Sequence, residues 1–359
     1  MKVSMKIFTS GLFAVIAGVA SFLFSGVAAA EPHVVIVTPR GETTMEKVFM
    51  AELKRRIGPV RFTLIKPELA NAAKMAALPE RIAQEKPNLI YSWGTPTTVA
   101  VAGTFDKPVI SDVPIVFGVV ADPIRAKLVS SLARPGRNIT GTSHLAPISA
   151  QLAAIAEYRP LKKLGVVYNP KEVNTKFMLE DLTVEAKNAG IELIIEEVGL
   201  TEAGAPDPAT LAPKIQLVKQ RGAQWLYLGP DTFVSFTNRK ITTDAALEAK
   251  LPAFTANESA IRDANSLLGL FSPVENMARL IAFKASQILL NEKKVAEIPI
   301  ETLQRFSVLV NMCAAKSLKN YPPLGLLNYS DVRLPSLESS DGTTPPVKTP
   351  NACTPVVQS

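Results

Sequence analysis

The chain has 359 residues, 47% of them hydrophobic, with a formal net charge of +7, two cysteines and two histidines. The positive charge is scattered without a long basic run, so it reads as ordinary solubility rather than a nucleic-acid surface. The length exceeds what one compact core usually holds, which predicts two domains.

At the start of the chain, Lys2 and Lys6 precede an apolar, uncharged run from Ile7 to Phe24, and Ala28-Ala29-Ala30 fit a small-residue cleavage site before Glu31. Residues 1–30 therefore read as a cleaved secretory signal peptide, which predicts a periplasmic protein. The other reading, an uncleaved anchor, has an apolar run near the lower length limit for spanning. Export would permit a disulfide between Cys313 and Cys353, but spacing alone does not establish pairing.

From Pro32 onward, short apolar runs alternate with amphipathic stretches. Strands are expected at His33–Val37, Val60–Ile65 and Leu89–Trp93, with helices at Thr44–Ile57 and Pro96–Ala102. Lys66–Pro79 reads as irregular. Val113–Val120 is a nearly continuous apolar run, as in a strand covered on both faces. Asp122-Pro123 then reads as an N-cap followed by proline at the first helical position, with Ile124, Leu128 and Leu132 at helical spacing. Pro135-Gly136 breaks that helix, and Asn138–Gly141 restarts an extended segment.

The second half continues the alternation. Helices are expected at Ile148–Tyr158, Asn174–Ala189, Leu211–Arg221, Val234–Leu247 and Val274–Leu290. Strands are expected at Leu164–Tyr168, Glu192–Val198, Trp225–Leu228, Ala253–Thr255, Leu267–Phe271 and Arg305–Val310. Leu200–Pro208 reads as a surface loop, and Leu334–Ser359, with five prolines and many Ser and Thr residues, as a disordered tail. Strands alternating with helices imply an α/β fold with parallel sheets and right-handed connections.

Enzyme signatures are missing from the sequence. It has no G-x-S-x-G elbow, no G-x-x-x-x-G-K-[ST] phosphate loop, no H-E-x-x-H, no C-x-x-C and no G-x-G-x-x-G after a strand. Neither catalysis nor a cofactor nor a metal is expected. His33 and His144, without nearby carboxylates or cysteines, read as incidental surface or hinge residues.

The informative polar residues stand at the carboxyl ends of strands, where open α/β sheets bind ligands. Arg40, Thr43 and Thr44 follow the first strand. Thr95, Thr97 and Thr98 follow Leu89–Trp93, at a helix start whose free N–H groups would favour a carboxylate. The competing reading is a plain helix cap at Thr95. Asn174 and Thr175 start the helix after Leu164–Tyr168. Asp231, after Trp225–Leu228, would accept hydrogen bonds from an ammonium group or cap its own turn. Trp93 would stack on a ligand or pack in the core.

These residues carry a family resemblance. Pro114–Phe117, Asp122-Pro123 and Leu128–Gly141 resemble the pattern I-P-I-V-F, D-P, L-V-x-S-L-A-R-P-G-x-N-x-T-G. That pattern belongs to ABC-transporter substrate-binding proteins, including the tryptophan- and phenylalanine-type receptors. Gly94-Thr95-Pro96, Gly165–Pro170 and Ile298-Pro299 match as well, so the resemblance covers roughly Val34–Pro323. Arg137, where glycine is common, departs from it.

The resemblance implies a type I periplasmic-binding-protein fold: two doubly wound parallel-sheet lobes joined by a three-segment hinge. The crossings fall near Thr140–Leu145, Leu270–Pro273 and Pro299–Phe306. Lobe one would be 31–142 plus 272–299, lobe two 143–271 plus 300–330, and the tail 331–359. The resemblance also carries ligand roles onto Thr95, Thr97 and Thr98 of lobe one, and onto Asn174, Thr175 and Asp231 of lobe two. It implies a monomeric receptor that takes a small carboxylate-bearing solute, such as an amino acid, to an ABC permease. A ligand-sensing subunit of a signalling system is the alternative.

Overall fold

The computed structural model describes residues 1, 31–69 and 71–334. Apart from residue 1, the expected signal peptide lies outside the described residues, as do Cys353 and the expected tail beyond residue 334.

Among the described residues, thirteen strands build two sheets. The first sheet takes β1 (His33–Val37), β2 (Arg61–Ile65), β3 (Leu89–Trp93), β4 (Ile115–Gly118) and β5 (Ile139–Ser143). The second takes β6 (Lys163–Tyr168), β7 (Glu192–Glu197), β8 (Trp225–Leu228), β9 (Ala253–Thr255) and β10 (Leu268–Phe271). Both run in the same order: β2-β1-β3-β4-β5 in one and β7-β6-β8-β9-β10 in the other. The chain thus repeats one doubly wound unit, and each copy has its topological switch point beside its first strand. β11 (Glu301–Thr302) extends the first sheet beside β5, and β12 (Ser307–Asn311) and β13 (Asp331–Arg333) extend the second.

β1, β3, β4 and β5 are buried along their whole length. Alternate residues serve opposite faces, as the two-residue strand period requires. Val34, Ile36, Tyr91 and Val116 share a core with helices Thr44–Ile57 and Val274–Leu289. Val35, Val37, Ile90, Ile115 and Phe117 join helices Leu78–Gln84 and Thr95–Ala102. Phe49 stacks on Tyr91 with ring centroids 4.7 Å apart.

The chain passes between the sheets three times: after β5, after β10 and between β11 and β12. Helix Val274–Leu289 returns from the second sheet to lie against Thr44–Ile57 of the first. The Ser272 hydroxyl donates to the carbonyl of His144 at 2.9 Å and ties two of the crossings together.

Several sequence expectations are corrected. The helix expected from Asp122 to Leu132 is a chain of turns. Asp122 does cap it, accepting from the N–H groups of Ile124 and Arg125 at 3.0 and 2.9 Å. Lys127 then turns left-handed at φ 56°, which breaks the helical path before Leu128 and Val129, both buried. Lys66–Pro79, expected irregular, contains helix Ala72–Ala76 and the start of Leu78–Gln84. The helix expected at Val234–Leu247 is a π-helical turn, Thr232–Thr237, followed by helix Arg239–Glu248. The second sheet is not wholly parallel, because β12 runs antiparallel to β10. β11, placed in lobe two on sequence grounds, pairs with β5 in the first sheet. Asp331–Arg333, assigned to the tail, pairs with β12.

Candidate functional site

The carboxyl ends of both sheets face one cavity with about 320 Å³ of non-atom space, part of it open to solvent. From lobe one come Arg40 after β1, Trp93 at the end of β3 and Val119 after β4. Phe236, Asn257 and Glu258 come from the loops after β8 and β9, and His144 and Ser272 from two of the crossings.

Arg40 is the cationic centre of this wall. Its guanidinium carbon lies 4.1 Å from the Trp93 ring centroid, and one guanidinium nitrogen is 3.4 Å from Oε1 of Glu46. Glu46 is fully buried and accepts from the Thr43 N–H at 2.9 Å and from the Thr43 hydroxyl. Burial lowers the Arg40 pKa and Glu46 opposes that shift. The Arg40 Nε has no hydrogen-bond partner, and neither does the Trp93 indole N–H. From the other lobe, Phe236 meets Trp93 edge-on, with ring centroids 5.0 Å apart.

His144 is buried where the first crossing meets the cavity, and neither ring nitrogen is hydrogen-bonded. Burial lowers its pKa to about 4, against the pull of the Val120 carbonyl, so the ring is neutral at pH 7. Val119 beside it holds φ at 59°, a conformation that costs a β-branched residue about 1–2 kcal/mol. Glu258 lines the cavity; its Oε2 accepts from the Val274 N–H at 2.7 Å and its Oε1 from the Arg262 Nε–H. Unpartnered donors, a neutral imidazole and two aromatic rings suit a flat apolar ligand bearing an anionic group.

The residues singled out from sequence fare unevenly. Thr43 caps helix Thr44–Ile57 and engages Glu46, while Thr44 is exposed. Gly94, at φ 81°, rather than Thr95, is the N-cap of helix Thr95–Ala102. The Thr95 hydroxyl accepts from the Ala121 N–H at 3.3 Å, and Thr98 pairs with Ser92 at 2.8 Å. The Thr97 hydroxyl is buried without a partner. None of these threonines lines the cavity.

Asn174, Thr175 and Asp231 form a second buried cluster. The Thr175 hydroxyl donates to the carbonyls of Asn169 and Glu172 at 2.7 Å each. Asn174 donates to Glu172 and to the Pro230 carbonyl. Asp231 accepts from the N–H groups of Asn169 and Val234, both at 2.7 Å. Glu172 accepts from the N–H groups of Thr232 and Phe233, both at 2.9 Å. Burial raises both carboxyl pKa values, and Glu172 raises that of Asp231 further. This cluster fixes the π-helical turn that presents Phe236, and Asp231 itself does not reach the cavity.

The histidines, expected to be incidental, are both buried. His33 pins β1 through the Glu85 carbonyl and the Thr63 hydroxyl, both at 2.9 Å. Phe236, Asn257, Glu258 and Ser272 were not singled out from the sequence. Their one sequence signal is position, just beyond the carboxyl ends of β8, β9 and β10.

Residues 61–329 match the family described as ABC transporter substrate binding protein. The chain belongs to that family. Its members are receptors rather than enzymes. A tyrosine-binding protein of Clostridioides difficile is 27% identical over 246 residues, 67% of this chain and 66% of that relative's length. A conserved domain protein from Vibrio cholerae superposes with a TM-score of 0.74 at 24% identity, covering 84% of this chain and 99% of that one. The ABC domain from Streptococcus pneumonia in complex with L-Trp gives 0.70 at 18% identity, covering 84% and 100%. These two likenesses show the fold, two mostly parallel α/β lobes. Among the described residues of this receptor, no helix is long and apolar enough to cross a membrane.

Proposed function

We propose that this receptor works in the periplasm, binds an aromatic amino acid between its lobes and delivers it to an ABC permease. The observation that carries the reading is a mostly buried arginine stacked on a tryptophan in an inter-lobe cavity, with a phenylalanine closing from the other side. In this reading Arg40 takes the carboxylate by charge-assisted hydrogen bonds, Trp93 and Phe236 take the ring, and Glu258 takes the ammonium group. The tyrosine named for the Clostridioides relative and the tryptophan bound in the Streptococcus structure support the ligand class. Closure by hinge bending would expel water and bury the ligand.

The test is calorimetry of the full chain with L-tyrosine, L-tryptophan, L-phenylalanine and 3-phenylpropionate. Binding of at least one aromatic amino acid, weaker binding of the amine-free acid and loss of binding in Arg40→Ala are expected. Absence of binding by every aromatic amino acid would overturn the reading. Equal binding of the amine-free acid would remove Glu258 from it.

A further inference from the structure

Arg125 stands in the turns after β4, outside the cavity, on the first lobe. Its backbone is held by Asp122, whose Oδ1 accepts from the Arg125 N–H at 2.9 Å. Its side chain crosses to helix Val173–Asn188 of the second lobe. There Nη1 donates to both oxygens of Asp181, at 2.8 and 2.7 Å. Nη2 donates to Glu180 and reaches the Phe177 carbonyl at 3.5 Å. The guanidinium carbon lies 4.4 Å from the Phe177 ring centroid. Among the described residues, the ion pairs of Arg125 are the only salt bridges that join the two lobes.

We propose that Arg125 is a closure latch, a positioning residue that lengthens ligand residence by holding Asp181, Glu180 and Phe177 of the opposite lobe. An isolated surface ion pair contributes little, but a forked arginine on two carboxylates that also covers an aromatic ring has the geometry in which such pairs do contribute. Every one of these contacts spans the cleft, so separating the lobes breaks them all together. The latch therefore favours the closed arrangement with or without a ligand and acts on dissociation rather than on ligand choice. Glu180 and Asp181 are 67% and 54% exposed, so dissolved salt weakens the latch. It also gives a role to the Asp122-Pro123 signature, whose turn aims the Arg125 side chain across the cleft.

Two measurements on the full chain test this. Small-angle X-ray scattering of the ligand-free protein at low salt should give a larger radius of gyration for Arg125→Ala and for the Glu180→Gln/Asp181→Asn double variant than for the parent. High salt should move the parent toward those values and leave the variants where they are. With L-tyrosine as the probe, stopped-flow tryptophan fluorescence should show dissociation about fivefold faster in either variant and no further gain on combining them. An unchanged radius of gyration, additive effects or a salt response that survives in Arg125→Ala would overturn the latch. If L-tyrosine fails to bind, that failure falls on the ligand reading, and the scattering result still decides the latch.

Discussion

The guanidinium carbon of Arg40 lies 4.1 Å from the ring centroid of Trp93, and its charge is answered by Glu46, which is fully buried. Two sequence neighbourhoods 53 positions apart meet here because β1 and β3 are adjacent parallel strands. The stack fixes the plane of the guanidinium and leaves its Nε open, while Thr43 fixes Glu46. The cation is thus preorganised before any ligand arrives, which reduces the ordering cost of binding.

Glu46→Gln should therefore destabilise the fold by about 3 kcal/mol, because it leaves Arg40 without its countercharge in a buried setting. The measurement is urea unfolding followed by circular dichroism. A lower midpoint with an unchanged slope is expected, and an unchanged midpoint would show that Arg40 does not depend on this pair.

Gly141 of the N-x-T-G signature sits opposite Phe117 in the β4–β5 ladder. A Cβ there would collide with the Phe117 carbonyl and would lie 2.5 Å from its ring. Both strands are central and buried, so neither can retreat cheaply. Gly141→Ala should cost about 3 kcal/mol, seen as a lower thermal midpoint. A variant as stable as the parent would show that β5 can shift.

How far the sequence reaches depends on whether a feature is local. β1, β3, β8 and β9 were legible to the residue because each is a buried apolar run ended by Gly, Pro or polar residues. The chain of turns after Asp122 was not, because the left-handed turn at Lys127 is invisible to hydrophobic periodicity. Phe236 escaped notice for a similar reason: the π-helical turn at Thr232–Thr237 displaces it from a regular helical register. Asp231 has the right chemistry for an ammonium group, but it caps its own turn at Val234, binds Asn169, 62 positions away, and does not line the cavity. Arg40 and Trp93 stood out as residues, while their stacking depends on strand order.

Asp231→Ala should act on stability more than on ligand binding. The substitution removes an N-cap and leaves the N–H groups of Asn169 and Val234 unpaired, for a loss of about 2 kcal/mol. Affinity for an aromatic amino acid should fall less than in Arg40→Ala, because Asp231 reaches the ligand only through the turn that carries Phe236. Calorimetry on both variants compares them. A larger loss in Asp231→Ala would place this carboxylate in the binding contact instead.

The buried His144 makes stability depend on pH in a defined window. Burial lowers its pKa from 6.5 to about 4. Between these values the unfolded chain binds a proton that the folded chain refuses, so folding stability rises with pH there. The contribution is fully present above pH 6.5, declines as pH falls toward 4 and amounts to about 3 kcal/mol across the window. Equilibrium unfolding of the parent and of His144→Gln, repeated from pH 7 down to about 4, isolates it because other groups titrate alike in both. The parent should lose more stability than the variant between pH 6.5 and 4. Parallel curves would mean that the ring takes its proton inside the fold as readily as in water, and would open the hinge cavity to solvent at that point.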